Sequence, residues 1–390
     1  MPQRGCGVTP VEVARSLAPR FAARADRYDR TGAFPADDFA DLREAGLLGL
    51  MVPAVLGGQG AGFHRYSQVA FELARGNGAT ALVYNMHASI TGALAGIPDE
   101  MARALGAPES YFEARDRILR AAADGTFYAV AMSERGAGAR LSAVTTSYER
   151  VNGGFHIKGA KTFVSGAGHA AAYLVAARSG DEVSQFLVPA GDGVTVEETW
   201  DSLGMRATGS HDLHLDTVVP EESLLGGLEG VALLIAQMMP QWLVASYAAV
   251  YVGVAQAAVD AAVAHVQSRG HSGLPSVRAR IGRADAAVAA ARLVVAEAAR
   301  SVDEAPGEPE TNRWVWRAKL LAGTTAADVA ASMLEAAGTS ATRRGHPLER
   351  LYRDARCGSL QPATSDVCAD WLGVAALGGD PDADAAVPRW

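Results

Sequence analysis

The sequence predicts a mostly α-helical protein with a central β domain. Two changes in the spacing of apolar residues carry this prediction. Apolar residues recur every three or four positions up to about residue 124, as in amphipathic helices, and every second position from residue 125 to about residue 225, as in strands. The helical spacing then returns and continues toward residue 390. We therefore predict three domains: residues 1–124, 125–225 and 226–390.

The first domain is predicted to be helical. The runs VEVARSLAPRFAARADRY and PADDFADLREAGLLGL place apolar residues at helical intervals. The turn residues and proline of TGAFPADDF are typical of a helix start. Two more helices are expected in YSQVAFELARGNGATALVYNMHASITGAL, with a break at Gly76–Gly78.

The second domain is predicted to be a small β-barrel or sandwich. Short alternating runs, separated by Gly, Asn and Asp, extend from FYAVAM to HDLHLDTVVP. The strongest local signal is VNGGF, Val151–Phe155, because Asn and Gly accept the positive φ of a tight hairpin turn.

The third domain is predicted to be a bundle of long helices. Three stretches exceed 20 residues each: LLIAQMMPQWLVASYAAVYVGVAQAAVDAAVAHV, VRARIGRADAAVAAARLVVAEAARSVDEA and RWVWRAKLLAGTTAADVAASMLEAAG. Their many Ala, Gly and Ser residues suit helices that pack closely side by side.

Composition excludes several classes of function. A net charge of −8 and a pI near 5.6 argue against a nucleic-acid partner, which requires clustered Lys and Arg. The three cysteines, Cys6, Cys357 and Cys368, lack the spacing of a metal site and fit a reduced compartment. The first residues lack a signal-peptide core, and no window approaches the roughly 18 unbroken apolar residues of a membrane span. We expect a cytoplasmic protein with no metal and no membrane or nucleic-acid partner.

Three segments carry a resemblance to a known family. They are AMSERGAGARLSAVTTSYERVNGGFHIKGAKTFVSGAGHAAAYLVAAR, LGMRATGSHDLHLDTVVPEESLLG and HPLERLYRDAR. In this order they resemble the acyl-CoA dehydrogenase superfamily, and the likeness covers nearly the whole chain. It implies an N-terminal helical domain, a middle β domain and a C-terminal four-helix bundle. It also implies FAD between the β domain and the bundle, with a neighbouring subunit of a homodimer or homotetramer contributing to the site.

The resemblance implies a set of cofactor contacts. A strand segment would lie against the isoalloxazine, an aromatic and a hydroxyl side chain would contact the ring, and an arginine would meet the FAD diphosphate. Singly, each such residue is as compatible with core packing or a turn, and only their joint placement on one pattern favours a flavin site. The implied cofactor residues are Val130, Met132, Ser133, Gly138, Phe163, Ser165, Arg269 and Thr364.

The chain departs from the family at the positions that carry its chemistry. Dehydrogenases of this family use a glutamate to remove the substrate α-proton, at one of two positions. Those positions match Pro362 and Leu243 here, and neither side chain accepts a proton. Val244 stands where an arginine is expected, and Ala139–Arg140 replace the usual Ser-Asp. We expect Pro362, Leu243 and the adjacent Trp242 to line a substrate pocket.

A second resemblance accounts for these departures. The segments AGTSA, PLERLYRD and FVSGAGHA are similar to those of the flavin-dependent monooxygenases built on this fold. Those enzymes react reduced flavin with O2 to form a C4a-(hydro)peroxyflavin, which needs a dry pocket and a proton donor instead of a carboxylate base. His87 in VYNMHAS is the predicted donor, and we expect Asn85 and His87 to flank the flavin ring, as Ser133 does from the β domain. The alternative for His87 is a hydrogen-bonded core residue.

Three functions remain open at this point. The favoured one is a two-component, FADH2-using monooxygenase (hydroxylase) that acts on an aromatic, heteroaromatic or amine-bearing small molecule, with O2 and a separate NAD(P)H:flavin reductase as partners. The second is a dehydrogenase of acyl-CoA or acyl-carrier-protein thioesters with a non-standard base. The third is a flavin-binding protein without catalysis.

Overall fold

The computed structural model describes residues 8–383, which form 12 α-helices and seven β-strands in the order helices, sheet, helices. This order and the mostly helical fold class confirm the sequence prediction. The largest of the apolar clusters extends from the N-terminal helices through the sheet to the C-terminal helices.

Six helices precede the sheet. They are α1 (Pro10–Thr31), α2 (Ala36–Glu44), α3 (Phe63–Gly76), α4 (Gly78–Gly96), α5 (Asp99–Ala104) and α6 (Glu109–Ala123). Helix α1 begins with a capping box in which Thr9 and Glu12 satisfy each other's backbone amides. Asn77 separates α3 from α4 and caps α4 by accepting a hydrogen bond from the Ala79 amide. The predicted break at Gly76–Gly78 is therefore present.

The seven strands form one curled sheet. They are β1 (Tyr128–Ala131), β2 (Ser147–Val151), β3 (Gly154–Val164), β4 (Ala172–Ser179), β5 (Glu182–Pro189), β6 (Val194–Glu197) and β7 (His211–Pro220). The order across the sheet is β1-β4-β2-β3-β7-β6, and β5 lies off this path and pairs with β4 along its whole length. The predicted VNGGF hairpin joins β2 to β3, with Gly153 at φ 82° in its turn.

A β-bulge interrupts the pairing of β3 with β7. Lys161 lies opposite Leu213, but the next paired residues are Val164 and His211, so β3 carries one extra residue. A bulge bends the strand and turns a side chain to a new direction. Here it turns Phe163 outward.

The C-terminal domain consists of α7 (Ala232–Met238), α8 (Ser246–Ser268), α9 (Pro275–Glu304), α10 (Pro309–Ala337), α11 (Pro347–Arg356) and α12 (Ser365–Ala376). Helices α8, α9 and α10 pack side by side, and the shorter α11 and α12 pack on α10. The first long helix predicted from the sequence is broken: Pro240 begins a separate turn between α7 and α8.

The segment Pro240–Ser268 is long and apolar enough to cross a membrane, although no such segment is expected from the runs of unbroken apolar residues. Most of it is buried inside the protein, with α3, α9 and α10 packed around α8. It is the core helix of the C-terminal domain.

Candidate flavin site

A cavity of about 580 Å³ lies between the sheet and the C-terminal helices. Its volume is within the usual range of small-molecule sites, roughly 300–1,000 Å³. Nine of the residues predicted from the sequence to form the site line it: Val130, Met132, Ser133, Gly138, Phe163, Ser165, Leu243, Pro362 and Thr364. A second groove of about 680 Å³, between α1, α3, α8 and α9, contains none of the predicted site residues.

Two residues of the cavity wall have strained backbones. Phe163 has φ 57° and Met205 has φ 54°, and they are the only non-glycine residues with positive φ in the described part of the chain. Such conformations are costly for bulky side chains and persist mainly at functional sites. The Phe163 ring is 62% exposed and lies edge-on to Trp200, with ring centres 5.9 Å apart. The bulge thus presents an aromatic face to the cavity instead of burying it.

A chain of hydroxyl groups lies in the same wall. Ser165 Oγ is 2.9 Å from Ser210 Oγ, which is 2.7 Å from Thr208 Oγ1. Thr208 Oγ1 in turn donates to the carbonyl of Met205 at 2.9 Å. These hydroxyls can exchange hydrogen bonds with the polar edge of a bound ring.

No carboxylate lines the cavity among residues 8–383. Its ionisable side chains are Arg140, Tyr247 and Cys357. Burial raises the pKa of Tyr247 to about 12, and burial together with the nearby Asp354 charge raises that of Cys357 to about 12. At neutral pH both are protonated, so the wall offers no side-chain base.

His87 does not reach the cavity. Its side chain is 1% exposed, and its Nε2–H donates to the carbonyl of Leu48 at 2.7 Å. Its Nδ1 accepts a hydrogen bond from the Tyr128 amide at 3.2 Å. Burial lowers the pKa of His87 to about 4. With both ring nitrogens committed to backbone groups, this geometry supports the core role and argues against the predicted role as proton donor.

Three other predicted residues also lie outside the cavity. Asn85 is fully buried and accepts a hydrogen bond from the Tyr66 hydroxyl. Trp242 lines a smaller chamber of about 60 Å³ that shares Leu243 with the main cavity. Arg269 lies at the exposed end of α8. The spacing of apolar residues and the family motifs predict which helix or loop carries each of these residues. The direction of each side chain depends on tertiary packing.

A buried ion pair lies beside the segment that follows β1, where Lys161 also donates a hydrogen bond to the Met132 carbonyl. Lys161 Nζ lies 2.6 Å from Glu134 Oε1, and neither side chain is more than 3% exposed. Burial alone would raise the pKa of Glu134, but hydrogen bonds from Lys161 and Thr145 outweigh it and lower the pKa to about 2. Burial lowers the pKa of Lys161 to about 8. Sequence reasoning missed this pair, whose only signal was a lysine at a strand position otherwise suited to the core.

The segments LGMRAT and ERLYRDAR are hydrogen-bonded to each other. The Met205 amide donates to Asp354 Oδ1 at 2.6 Å, and Arg353 donates to the Leu203 carbonyl at 2.9 Å. Arg353 also makes a two-pronged ion pair with Asp29 of α1. These hydrogen bonds and the ion pair connect residues of all three domains. The hydrogen bond from its amide to Asp354 holds Met205 in its strained conformation.

The cavity fits a flavin ring system. Its walls are mostly apolar, Phe163 offers an aromatic face, and the Ser165–Ser210–Thr208 hydroxyls offer a polar edge. The buried Oε1 of Gln361, another wall residue, has no hydrogen-bond partner in the described chain, as expected of a group that meets a ligand.

Three family sequence models match the chain. The acyl-CoA dehydrogenase N-terminal, middle and C-terminal domains match residues 11–104, 129–218 and 245–364, respectively.

Two relatives match nearly the whole chain. L-evernosamine nitrososynthase of Micromonospora sp. is 33% identical over 98% of this chain and 93% of its own. A putative acyl-CoA dehydrogenase of Bacillus subtilis is 32% identical over 90% of this chain and 92% of its own. The first relative is named as a nitrososynthase and the second as a dehydrogenase, so their names indicate two different reactions.

Among solved structures, KijD3 in complex with FMN and dTDP-3-amino-2,3,6-trideoxy-4-keto-3-methyl-D-glucose superposes with a TM-score of 0.83. It is 28% identical, and the match covers 97% of each chain. Its bound flavin is FMN, whereas the sequence resemblance here implied FAD.

Proposed function

The chain belongs to the acyl-CoA dehydrogenase family and is a flavin-dependent enzyme of that family, and from this premise we propose that it is a two-component monooxygenase that uses reduced flavin and O2. The observation that carries this proposal is the absence of a carboxylate from the cavity wall within residues 8–383.

The chemistry of dehydrogenation explains why that absence matters. Removing the α-proton of a thioester requires a base in the cavity, and losing a general base costs on the order of 10²–10⁴ in rate. Tyr247 and Cys357 keep their protons at neutral pH, and Arg140 is a permanent cation. Oxygenation by reduced flavin needs no such base.

The wall residues suit the requirements of oxygenation. When bound, reduced flavin supplies the two electrons that divide O2 between an oxidised substrate and water. With a flavin bound, Val130, Met132 and Leu243 would limit the access of water to the ring, and Phe163 would offer an aromatic face to orient it. Ser133 and Ser165 line the same cavity and would donate or accept hydrogen bonds at the polar edge of the ring. The chamber that includes Leu243 and Trp242 would receive the part of the substrate that is oxidised.

The substrate we favour is a small molecule with an amine. The names of one relative and one solved structure point to amino sugars. An ammonium ion would need a nearby carboxylate, and the described wall has none, so the amine would bind in its neutral form. A neutral nitrogen keeps the lone pair that oxygenation requires.

The test combines two assays. The protein is supplied with FAD or FMN, NAD(P)H, a flavin reductase and ¹⁸O2, together with the amino sugar nucleotide bound by KijD3. We expect ¹⁸O in the product by mass spectrometry, and none when the reductase is omitted. In the second assay, butyryl-CoA is added to the oxidised holoprotein without O2. Rapid bleaching of the flavin there, with no oxygen transfer in the first assay, would replace the proposal with the dehydrogenase alternative.

We also propose that the enzyme is a cytoplasmic homodimer or homotetramer whose partner subunit completes the flavin site. The exposed position of Arg269, outside the cavity of its own chain, supports this arrangement. Sedimentation would show the assembly, and a monomer that retains flavin would contradict it.

A further inference from the structure

Arg140 is the only charged residue in the cavity wall within the described chain. Its side chain is exposed, and its Nε donates to the carbonyl of Ala137 at 3.3 Å. Among residues 8–383 it has no ion pair, unlike Arg135 five positions earlier, which lies 2.6 Å from Asp212. Both terminal nitrogens of Arg140 are therefore available to a ligand.

The turn that precedes Arg140 is anchored by hydrogen bonds and by an ion pair. Glu134 and Gly138 exchange two backbone hydrogen bonds of 2.9 Å each, which closes a tight turn directly before Ala139 and Arg140. The Glu134 carboxylate accepts hydrogen bonds from Thr145 and from the Thr146 amide, and it pairs with the buried Lys161. Such anchoring limits the conformational freedom that Arg140 loses when it binds a ligand.

The open faces of Gly136 and Gly138 leave space at this turn. A Cβ at either position would meet no atom within 4 Å, so the backbone of the turn is accessible from the outside. Because the Arg140 side chain is itself exposed, a ligand group can approach it beside this turn.

We propose that Arg140 binds a phosphoryl group of a ligand in this cavity. A guanidinium forms two parallel hydrogen bonds with a phosphate, and no neighbouring carboxylate in the described wall competes for it. The inference rests on the proposed use of the cavity for a flavin and a small substrate. It adds a specificity residue that the family pattern does not supply, because this chain has Arg140 where the pattern has an acidic residue.

The phosphoryl group could belong to the flavin or to the substrate. FMN and FAD carry phosphate, and riboflavin does not. A nucleotide sugar carries a diphosphate, for which thymidine diphosphate is a simple probe. Arg140 would form the same hydrogen bonds with either phosphate. The two possibilities differ in which ligands the Arg140→Gln variant binds more weakly.

The experiment measures affinity and not turnover. Flavin-free wild-type protein and Arg140→Gln are titrated with riboflavin, FMN and FAD by flavin fluorescence. The flavin-loaded proteins are titrated with thymidine and thymidine diphosphate by calorimetry. If the flavin supplies the phosphate, the variant binds FMN and FAD about tenfold more weakly and riboflavin unchanged. If the substrate supplies it, only the affinity for thymidine diphosphate falls.

Two control variants complete the design. Arg117→Gln removes another exposed charge, from α6 and outside the cavity, and should leave all five affinities unchanged. Arg140→Lys keeps the charge but loses the two-pronged geometry, and should fall between wild type and Arg140→Gln. Unchanged affinity of Arg140→Gln for every phosphorylated probe would overturn the proposal. These binding data stand apart from the oxygenation assay, so failure of the proposed function would be recognised separately.

Discussion

Replacing His87 with glutamine should make the stability of the protein less sensitive to acid. In the folded protein burial lowers the pKa of His87 from 6.5 to about 4. The unfolded chain therefore binds a proton near pH 6.5 that the folded chain takes up only near pH 4, so the stabilising contribution is complete above pH 6.5 and is lost as the pH falls toward 4. Each pKa unit is worth about 1.4 kcal/mol, which gives a loss of about 2 kcal/mol by pH 5 and about 3 kcal/mol in full.

Urea unfolding of both proteins at about pH 7.5 and pH 5 measures this difference. Other ionisable groups titrate over the same interval, but they do so in both proteins and cancel in the comparison. Wild type should lose about 2 kcal/mol more than His87→Gln between the two pH values. At pH 7.5 the variant should keep its flavin affinity and turnover. Equal pH dependence in the two proteins, or a variant of normal stability that loses only turnover, would refute the core role and restore the catalytic one.

Three further substitutions test the surroundings of the cavity. Glu134→Gln leaves Lys161 buried without its counter-ion and should cost about 3–5 kcal/mol in urea unfolding. Gly92→Ala places a Cβ where the Trp242 indole lies and should lower the free energy of unfolding by about 1–3 kcal/mol. Because the indole has to move, the tryptophan fluorescence should shift as well. Phe163→Gly relieves a positive φ, so the flavin-free protein should change by less than about 1 kcal/mol, while flavin affinity measured by fluorescence should fall about tenfold. A matching loss of stability in Phe163→Gly would contradict a stacking role.

Much of the candidate site follows from sequence pattern, but four predicted residues lie outside the cavity: His87, Asn85, Trp242 and Arg269. Phe163, Ser165 and Thr364 line the cavity where the resemblance implied, because strand order and loop position come with the fold. Pro362 and Leu243 line it too, so the missing carboxylate is a property of the cavity itself. His87 lies on the expected helix, α4, but faces Leu48 and Tyr128, because a histidine on an apolar helix can meet either a cavity or a backbone.

The sequence by itself determined the order of helices and strands, the VNGGF hairpin and the loss of the two base positions. These features depend on local spacing or on residue identity at a single position. Tertiary structure alone decided the Glu134–Lys161 pair and the hydrogen bond from Met205 to Asp354, which join residues 27 and 149 positions apart. A buried charge or amide must find a partner wherever the folded chain brings one, and no local pattern records where that will be.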